Sequence, residues 1–446
     1  MKPKTSFMKQ LFENVFFKMG MILVLILILL IPAYMVQNLI HERTIRQTEA
    51  IEEVSSKHAD DQSITGPILT IPFINKKQVE NEDGTHRQII EQFYYHILPE
   101  ALKINGEIIP EKRKRGIFEV VLYGSKLNFS GNFDSYDFEN NGLNESNLLL
   151  DKAFVTLGIT DLKGVTDQVD FTLGDSSVMF SPGVISKDIV SSGLHVRYPL
   201  LGLPKKMEFN FDLSLNGSET MMFTPIGKVT TVNVISPWSE PSFDGSFLPD
   251  SREVRKDGFK AQWKVLHLNR NYPQTWIGNK NTLHESRFGV NLRLPVDVYQ
   301  KSMRVAKYAI LFIVLTYLVF FFVEILNKIL IHPIQYILVG IALVLFYVLL
   351  LAFSEQVYFD YAYIVASLMT ISLVFLYCRS ILKSWALASM TASILLILYG
   401  FIFIIIQMQD LALLFGSLGI FLILAVTMYF SRKIDWFNLN PKEIND

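Results

Sequence analysis

The chain has 446 residues, of which 50% are hydrophobic and only 19% are charged, and this composition argues against a simple soluble protein. The net charge of -1 excludes a general electrostatic attraction to nucleic acid. The single cysteine, Cys378, excludes an intramolecular disulfide, and because it lies in an apolar run it says nothing about the redox compartment.

The amino-terminal segment predicts a membrane anchor. Residues 1–18 carry four lysines and one acid, and the next stretch, Met19–Val36, has no charge. A run of this length can span a hydrocarbon core of about 30 Å at about 1.5 Å per residue. A cleaved signal peptide is the alternative, but no Ala-x-Ala-type site follows Pro32. We therefore expect an uncleaved anchor over residues 19–38, with residues 1–18 in the cytoplasm because of their lysines.

Residues 41–303 are predicted to form a mainly antiparallel β domain outside the cytoplasm. The first part, His41–Asp61, is polar with helix-compatible spacing, which indicates a short stalk leaving the membrane. From Thr65 onward, short runs of β-forming residues are separated by Gly, Asn, Asp and Pro, a pattern typical of β-sandwiches. One large domain and two subdomains with a joint near residues 175–192 both fit this pattern.

Two turns are predicted inside this domain from their glycines. Gly124-Ser125 separates two partly alternating runs, Phe118–Tyr123 and Leu127–Phe133, and reads as the turn between two strands. Asn216-Gly217 follows the alternating run Met207–Leu215 and predicts a hairpin.

A block of five membrane spans is predicted over residues 305–430. The apolar runs are Tyr308–Val323, Ile334–Phe353, Tyr361–Tyr377, Trp385–Ile406 and Leu411–Phe430. With the anchor they make six spans, so the tail 431–446 is expected in the cytoplasm with the amino terminus. The complete fold is predicted as a multi-span α-helical bundle, one amino-terminal plus five carboxy-terminal transmembrane helices, carrying a large extracytoplasmic β domain.

The charges of the loops agree with this orientation under the positive-inside rule. The predicted inner loops and tail carry Lys328, Arg379, Lys383, Arg432, Lys433 and Lys442. The two short outer loops carry Glu355 and Asp410 and no Lys or Arg. Three basic residues, Lys301, Arg304 and Lys307, lie on the outer side, at the end of a long translocated domain where the rule is weak.

The predicted spans favour an anchor or assembly platform over a transporter. At hydrocarbon depth the exceptions to apolar side chains are Ser and Thr together with small residues, and Ala388/Ala392 and Ser389/Ser393 have small-xxx-small spacing. Such spacing is typical of close helix packing. Ion-coupled transporters usually place ionisable groups or broken helices near mid-membrane.

Several segments resemble the CreD family of bacterial inner-membrane proteins over nearly the whole chain. The matching segments are Glu324–Tyr336, Leu338–Tyr347, Ser354-Glu355, Gly66–Pro72, Arg115–Val120 and Leu127–Phe133. The resemblance implies an inner-membrane protein with a periplasmic domain and a role in cell-envelope integrity. It also implies a regulon under a two-component system that responds to envelope stress, and it supplies no catalytic residues.

Seven family-signature residues are candidates for partner contacts. Glu324 and His332 flank an inner loop, where they could form a pH-sensitive or partner-contacting pair. The alternative is ordinary interface side chains, with Pro333 starting a helix and Gln335 and Tyr336 one turn into it. At the outer face, a cap or loop role is favoured for Ser354 and Glu355 over contact with the β domain.

The remaining motifs support neither catalysis nor metal binding. His-Glu-x-x-His and Gly-x-Ser-x-Gly are absent, so we expect no enzyme activity, no cofactor and no metal. The basic run Lys112–Arg115 reads as a solvated loop, with anionic headgroups or glycans as the alternative partner. The expected partners are the lipid bilayer and an unidentified envelope component. The alternatives left open are a transporter or flippase of an envelope precursor and a periplasmic cell-wall enzyme.

Overall fold

The computed structural model describes residues 15–80, 86–134, 138, 143, 145–174, 176–200, 206–292, 298–327, 329–408 and 411–432. The predictions for residues 1–14, for the tail from 433 and for the loop charges Lys328 and Asp410 lie outside the described residues. The chain divides into two compact units. We call the part before Thr48 and after Pro295 the membrane unit, and the part from Thr48 to Pro295 the β unit.

Seven α-helices are described. They are α1 (Val15–His58), α2 (Val298–Lys307), α3 (Ala309–Asn327), α4 (Pro333–Ser354), α5 (Phe359–Leu382), α6 (Trp385–Gln407) and α7 (Ala412–Ser431). Six helical stretches among the described residues are long and apolar enough to cross a membrane, with α2 and α3 counted as one. This confirms the predicted arrangement of one amino-terminal and five carboxy-terminal spans.

Helix α1 is much longer than the predicted anchor, because the polar stalk continues the same helix to His58. Helix α2 is short and amphipathic. Its residues Tyr299, Ser302, Val305 and Ala306 are buried on one face, whereas Arg304 and Lys307 are exposed. Exposed cations on long side chains at the end of a span can reach the lipid headgroups.

The β unit contains seventeen described strands. They are β1 (Gln62–Glu80), β2 (His86–Ile97), β3 (Ala101–Arg115), β4 (Phe118–Phe133), β5 (Phe154–Ile159), β6 (Asp170–Leu173), β7 (Ser176–Met179), β8 (Ser181–Pro182), β9 (Gly193–Arg197), β10 (Met207–Ser218), β11 (Thr220–Phe223), β12 (Val229–Ser236), β13 (Ser242–Gly245), β14 (Ser251–Arg255), β15 (Gly258–Leu266), β16 (Thr275–Ile277) and β17 (Phe288–Asn291).

These strands form two sheets around one hydrophobic core. The nine-stranded sheet has the order β13-β17-β11-β1-β5-β9-β8, with β2 beside β1 and β16 beside β2. The eight-stranded sheet has the order β14-β15-β12-β3-β4-β10-β6-β7. Only the pairs β1–β11 and β3–β12 are parallel among the described strands. The mainly antiparallel prediction is therefore confirmed.

Aromatic side chains join the two sheets. Trp263 on β15 is fully buried and packs on Phe288 of β17, in the other sheet, with ring centroids 5.6 Å apart. Within the eight-stranded sheet, Phe129 on β4 stacks on its register partner Phe211 of β10, with ring centroids 4.7 Å apart. Rings of this size remove large apolar areas from water, so they supply much of the stability of a core.

Both turn predictions are wrong. Gly124 and Ser125 lie inside the continuous strand β4, and Asn216 and Gly217 lie inside β10. Gly217 is the register partner of Tyr123, and a Cβ at Gly217 would collide with that tyrosine. Glycine is therefore present here for a close approach between strands, a role that sequence alone does not separate from a turn.

The predicted joint near residues 175–192 connects the two sheets. Asp175 lies outside the described residues, but β7 adds to the edge of the eight-stranded sheet and β8 to the edge of the nine-stranded sheet. A division of the β unit into two subdomains at this point remains a prediction.

Candidate functional site

A buried ion pair connects helices α1 and α3 within the membrane unit. Lys18 is in the first turns of α1 and Glu324 is near the end of α3, and the Lys18 Nζ lies 2.8 Å from the Glu324 Oε1. Lys18 is 8% exposed and Glu324 is 2% exposed. Charged groups this deeply buried are normally paired, because each alone would lose its hydration without compensation.

The Glu324 carboxylate has further donors beside Lys18. The backbone N–H of Ile331 donates to Oε1 at 3.0 Å, and the Tyr336 hydroxyl donates to Oε2 at 2.9 Å. The Tyr317 hydroxyl in turn donates to the backbone oxygen of Tyr336 at 2.6 Å. Both carboxylate oxygens are thus satisfied, and helices α1, α3 and α4 meet at one group.

The signature residues between Glu324 and Tyr336 start helix α4. The backbone N–H of His332 donates to the Gln335 side-chain oxygen at 3.0 Å, and the His332 Nδ1 accepts from the N–H of Ile334 at 3.4 Å. Pro333 is the first helical residue, where its missing N–H costs nothing. This cap places Tyr336 one turn into the helix, against Glu324. The structure therefore brings Glu324 and Tyr336 together and gives His332 a capping role.

Ser354 and Glu355 end the same helix. The buried Ser354 hydroxyl donates to Leu351 O, one turn back in α4, at 2.9 Å. Glu355 accepts a hydrogen bond from the Tyr299 hydroxyl of α2 at 3.1 Å, and the Arg43 Nε of α1 lies 3.6 Å from the same oxygen. Glu355 is therefore a contact between α1, α2 and α4 within the membrane unit.

These contacts fasten α1 at two levels. At about 1.5 Å per residue, Lys18 and Arg43 are separated by about 37 Å along the helix axis, somewhat more than the thickness of a hydrocarbon core. The two ion pairs therefore hold α1 at both ends of its membrane-crossing part. We call them the Glu324 cluster (Lys18, Tyr317, Glu324, Ile331 and Tyr336) and the Glu355 cluster (Arg43, Tyr299 and Glu355).

Sequence reasoning missed Lys18, Arg43, Tyr299 and Tyr317. Lys18 was interpreted as one of the cytoplasmic lysines, and the other three had no distinguishing motif. A signal did exist for the first: Lys18 directly precedes an uncharged run, and Glu324 directly ends one. Opposite charges at the ends of two spans can pair, but one sequence does not show which spans are neighbours.

Helices α4, α5 and α6 of the membrane unit contain buried tyrosines. The Tyr363 hydroxyl of α5 donates to the backbone oxygen of Tyr399 in α6 at 2.8 Å. The Tyr347 hydroxyl is buried and has no hydrogen-bond partner among the described residues, whereas Thr370 lies within reach of the buried Tyr399 hydroxyl. Phe312 and Phe346 pack between these rings, so the group is a tight aromatic core rather than an open channel.

The small hydroxyl side chains of the spans bond to their own helices. Thr316, Ser367, Thr370 and Thr391 each donate to the carbonyl four residues earlier. Such bonds satisfy the hydroxyl within the helix, so it needs no partner across the bundle. These residues therefore fit packing, as the sequence predicted for them.

The basic run Lys112–Arg115 lies on β3 and is matched by local partners. Arg113 is 3.2 Å from Glu111, Lys114 is 3.4 Å from Glu119, and the Arg115 guanidinium donates to both oxygens of Glu53. Lys112 stands over the Trp238 ring. The run is therefore part of a strand with neutralised charges rather than a loop.

The β unit contains a buried hydroxyl, imidazole and carboxylate in a row, which sequence reasoning also missed. The Thr70 hydroxyl lies 3.0 Å from the His96 Nδ1, and the His96 Nε2 lies 3.3 Å from the Asp188 Oδ2. Burial lowers the pKa of His96 to about 4, against the opposite effect of Asp188. Thr70 and His96 are each 1% exposed, so no substrate reaches the hydroxyl.

No group of three or more His, Cys, Asp or Glu side chains in the described part of the chain is placed to hold a metal ion.

Together, the fold and the two clusters define a class: a multi-span membrane protein whose large β unit is inserted between its first and second spans. A family model described as inner membrane protein CreD matches residues 14–437. The inner membrane protein CreD of Escherichia coli (strain K12) is 32% identical over 425 residues, which cover 95% of this chain and 94% of that protein. The chain belongs to the CreD family of inner membrane proteins, and its apolar helices contact the lipid bilayer.

Proposed function

We propose that this protein maintains the integrity of the bacterial cell envelope as a non-enzymatic inner-membrane platform. In this proposal the termini lie in the cytoplasm, and the β unit lies in the periplasm and contacts an envelope component. Expression under a two-component system that responds to envelope stress is part of the same proposal.

The observation that carries the proposal is the fastening of α1 by the Glu324 and Glu355 clusters. Because the β unit begins within α1, at Thr48, and ends before α2, it is tethered at both ends to helices that the two clusters join. A platform needs helices that stay joined in this way. A transporter that alternates between states would instead need helices that separate, and the Glu324 carboxylate is satisfied on both oxygens.

A transporter or flippase of an envelope precursor is the second candidate. The unpartnered hydroxyl of Tyr347 is the observation in its favour. It is enclosed by the packed rings of Phe312 and Phe346, so we favour the platform. The candidacy of His332, Gln335 and the other signature residues as partner contacts remains a proposal, because their described contacts lie within the membrane unit.

Two experiments test the proposal in intact cells. A reporter that is active only in the periplasm is expected to be active when fused after Leu215 and inactive when fused after Arg379. Photo-crosslinkers on the exposed surface of the β unit are then expected to capture a protein, lipid or glycan of the envelope. An inverted reporter pattern would overturn the topology, and a β unit that captures nothing in intact cells would overturn the proposed role.

A further inference from the structure

A polar cavity of about 380 Å³ lies on the nine-stranded sheet of the β unit. Its floor follows one row of residues across four strands. Ser63 on β1 is paired with Met222 on β11, Met222 with Gly289 on β17, and Gly289 with Asp244 on β13. Gly289 itself does not line the cavity, and a Cβ there would collide with the Met221 carbonyl oxygen of β11. Strand register therefore places three lining residues, Ser63, Met222 and Asp244, in one row.

Charges of both signs surround this floor. Asp61, Asp244 and Glu285 contribute carboxylates, and His284 and Arg287 contribute the basic groups. The three acids outnumber the two basic residues. A purely anionic ligand would be repelled by this excess. Within the described part of the chain, these carboxylates do not belong to any group of three or more His, Cys, Asp or Glu side chains that could hold a metal ion.

Several polar groups of the cavity have unused hydrogen-bonding capacity. The Ser63 hydroxyl is buried and has no partner among the described residues. The Asp244 Oδ1 accepts from the N–H of Gly245 at 2.7 Å, which leaves its second oxygen available. The Arg287 Nε donates to His284 O at 2.9 Å, and in the described part of the chain its terminal nitrogens have no acceptor. The second oxygen of Asp244 and the terminal nitrogens of Arg287 are thus free to bond to a ligand, whereas the Ser63 oxygen has almost no accessible surface and is out of its reach.

We propose that this cavity binds a small zwitterion with a primary ammonium and a carboxylate, of the class of free amino acids and short peptides. The ammonium is held by Asp244 and Glu285, and the carboxylate by the terminal nitrogens of Arg287, which bind carboxylates in a charge-assisted manner. The proposal rests on the proposed function, because it supplies the periplasmic β unit with a ligand.

The test is calorimetric titration of the purified full-length protein in detergent at pH 7. The probes are alanine, dialanine and trialanine, followed by N-acetyl-dialanine and dialanine amide, which remove one charge each. We expect at least one of the free peptides or the amino acid to bind. Both blocked forms of dialanine should bind at least about tenfold more weakly than free dialanine. This corresponds to about 1.4 kcal/mol for each lost charge contact.

Variants assign the two charges to their residues. Asp244→Asn is expected to weaken the binding of free dialanine but not to weaken further the binding of N-acetyl-dialanine, whose amine is blocked. Arg287→Gln is expected to weaken the binding of free dialanine but not to weaken further the binding of dialanine amide, whose carboxylate is blocked. The matched controls are Asp257→Asn and Arg197→Gln, two exposed residues outside the cavity. Melting temperatures of all variants show that each one is folded.

The outcomes separate this proposal from the proposed function. If none of the three free probes binds at millimolar concentration, or if Asp244→Asn and Arg287→Gln bind as the controls do, the assignment of the cavity is overturned. Capture of an envelope component elsewhere on the β unit would leave the platform role intact. Peptide binding together with an inverted reporter pattern would instead retain the cavity and reject the topology.

Discussion

Lys18 and Glu324 form an ion pair of 2.8 Å inside the membrane unit, although they come from the first and third helices of the chain. Removing one partner of a buried pair is far more costly than exchanging both, because the remaining charge is left uncompensated. The Ile331 N–H and the Tyr336 hydroxyl reinforce the carboxylate and add to the energy of the cluster. This contact therefore governs whether α1 stays with the carboxy-terminal helices.

The first prediction concerns that pair. Glu324→Met and Lys18→Met should each destabilise the protein by about 3–5 kcal/mol, since each leaves a buried charge. The double variant should cost clearly less than the sum of the two. Thermal unfolding of the purified protein in detergent gives the three values and their coupling energy. An exposed pair on the same helix, Glu42 and Arg46, is the control, and its variants should cost less than about 1 kcal/mol.

The second prediction concerns the contact between α1 and α4. A Cβ at Gly340 would collide with Leu29 of α1 and with the Tyr317 hydroxyl, whereas nothing lies within 4 Å of the corresponding position at Gly400. Gly340→Ala should therefore cost about 1–3 kcal/mol through overpacking. Gly400→Ala should change little or add up to about 1 kcal/mol of helix stability. Equal melting temperatures for the two variants would contradict this account of the interface.

The membrane spans could be predicted from the sequence because each is a continuous apolar run. Ile334–Phe353, for example, differs by one residue at each end from α4. The length of α1 could not be predicted from the sequence, because a polar segment after a span can form a helix or a loop with the same hydropathy. The predicted turn at Gly217 failed for a related reason: pairing with β4 overrode the local turn preference of Asn-Gly.

The candidate site was predictable only in part. The sequence places Glu324 and His332 on either side of an inner loop, and the Pro333 helix start, with Tyr336 one turn into that helix, follows from local rules. Their partner Lys18 depends on which helices pack together, and that is a property of the whole bundle. The cavity near Ser63 depends on a parallel pair, β1 with β11, and on strand register, neither of which appears in the local pattern.

The third prediction concerns the junction of the two sheets. Trp263 is fully buried, contacts Phe243 and Phe288, and donates from its indole N–H to Phe247 O at 3.2 Å. Trp263→Ala should cost about 3–5 kcal/mol, the usual range for a large core aromatic. Trp238 is only partly buried, and Trp238→Ala should cost much less. The tryptophan fluorescence of the unfolding transition gives both values, and a similar loss for both would place the junction elsewhere.

The fourth prediction concerns pH and the buried His96. Its pKa in the folded protein is lowered from 6.5 to about 4 by burial, so the imidazole is neutral at pH 7. In that state Nε2–H donates to Asp188 and Nδ1 accepts from Thr70. The unfolded chain binds a proton at higher pH than the folded one. The contribution of His96 to stability is therefore complete above about pH 6.5 and is lost as the pH falls toward 4.

A difference of this size corresponds to about 3 kcal/mol between pH 7 and pH 4. His96→Gln keeps hydrogen-bonding capacity at the position but does not titrate, so its unfolding free energy should depend less on pH over this window. The measurement is thermal unfolding at half-unit steps from pH 4 to pH 8, with His267→Gln as the control. If the wild-type protein and His96→Gln lose stability in parallel, the imidazole is not the titrating group and another residue must carry the acid sensitivity of the β unit.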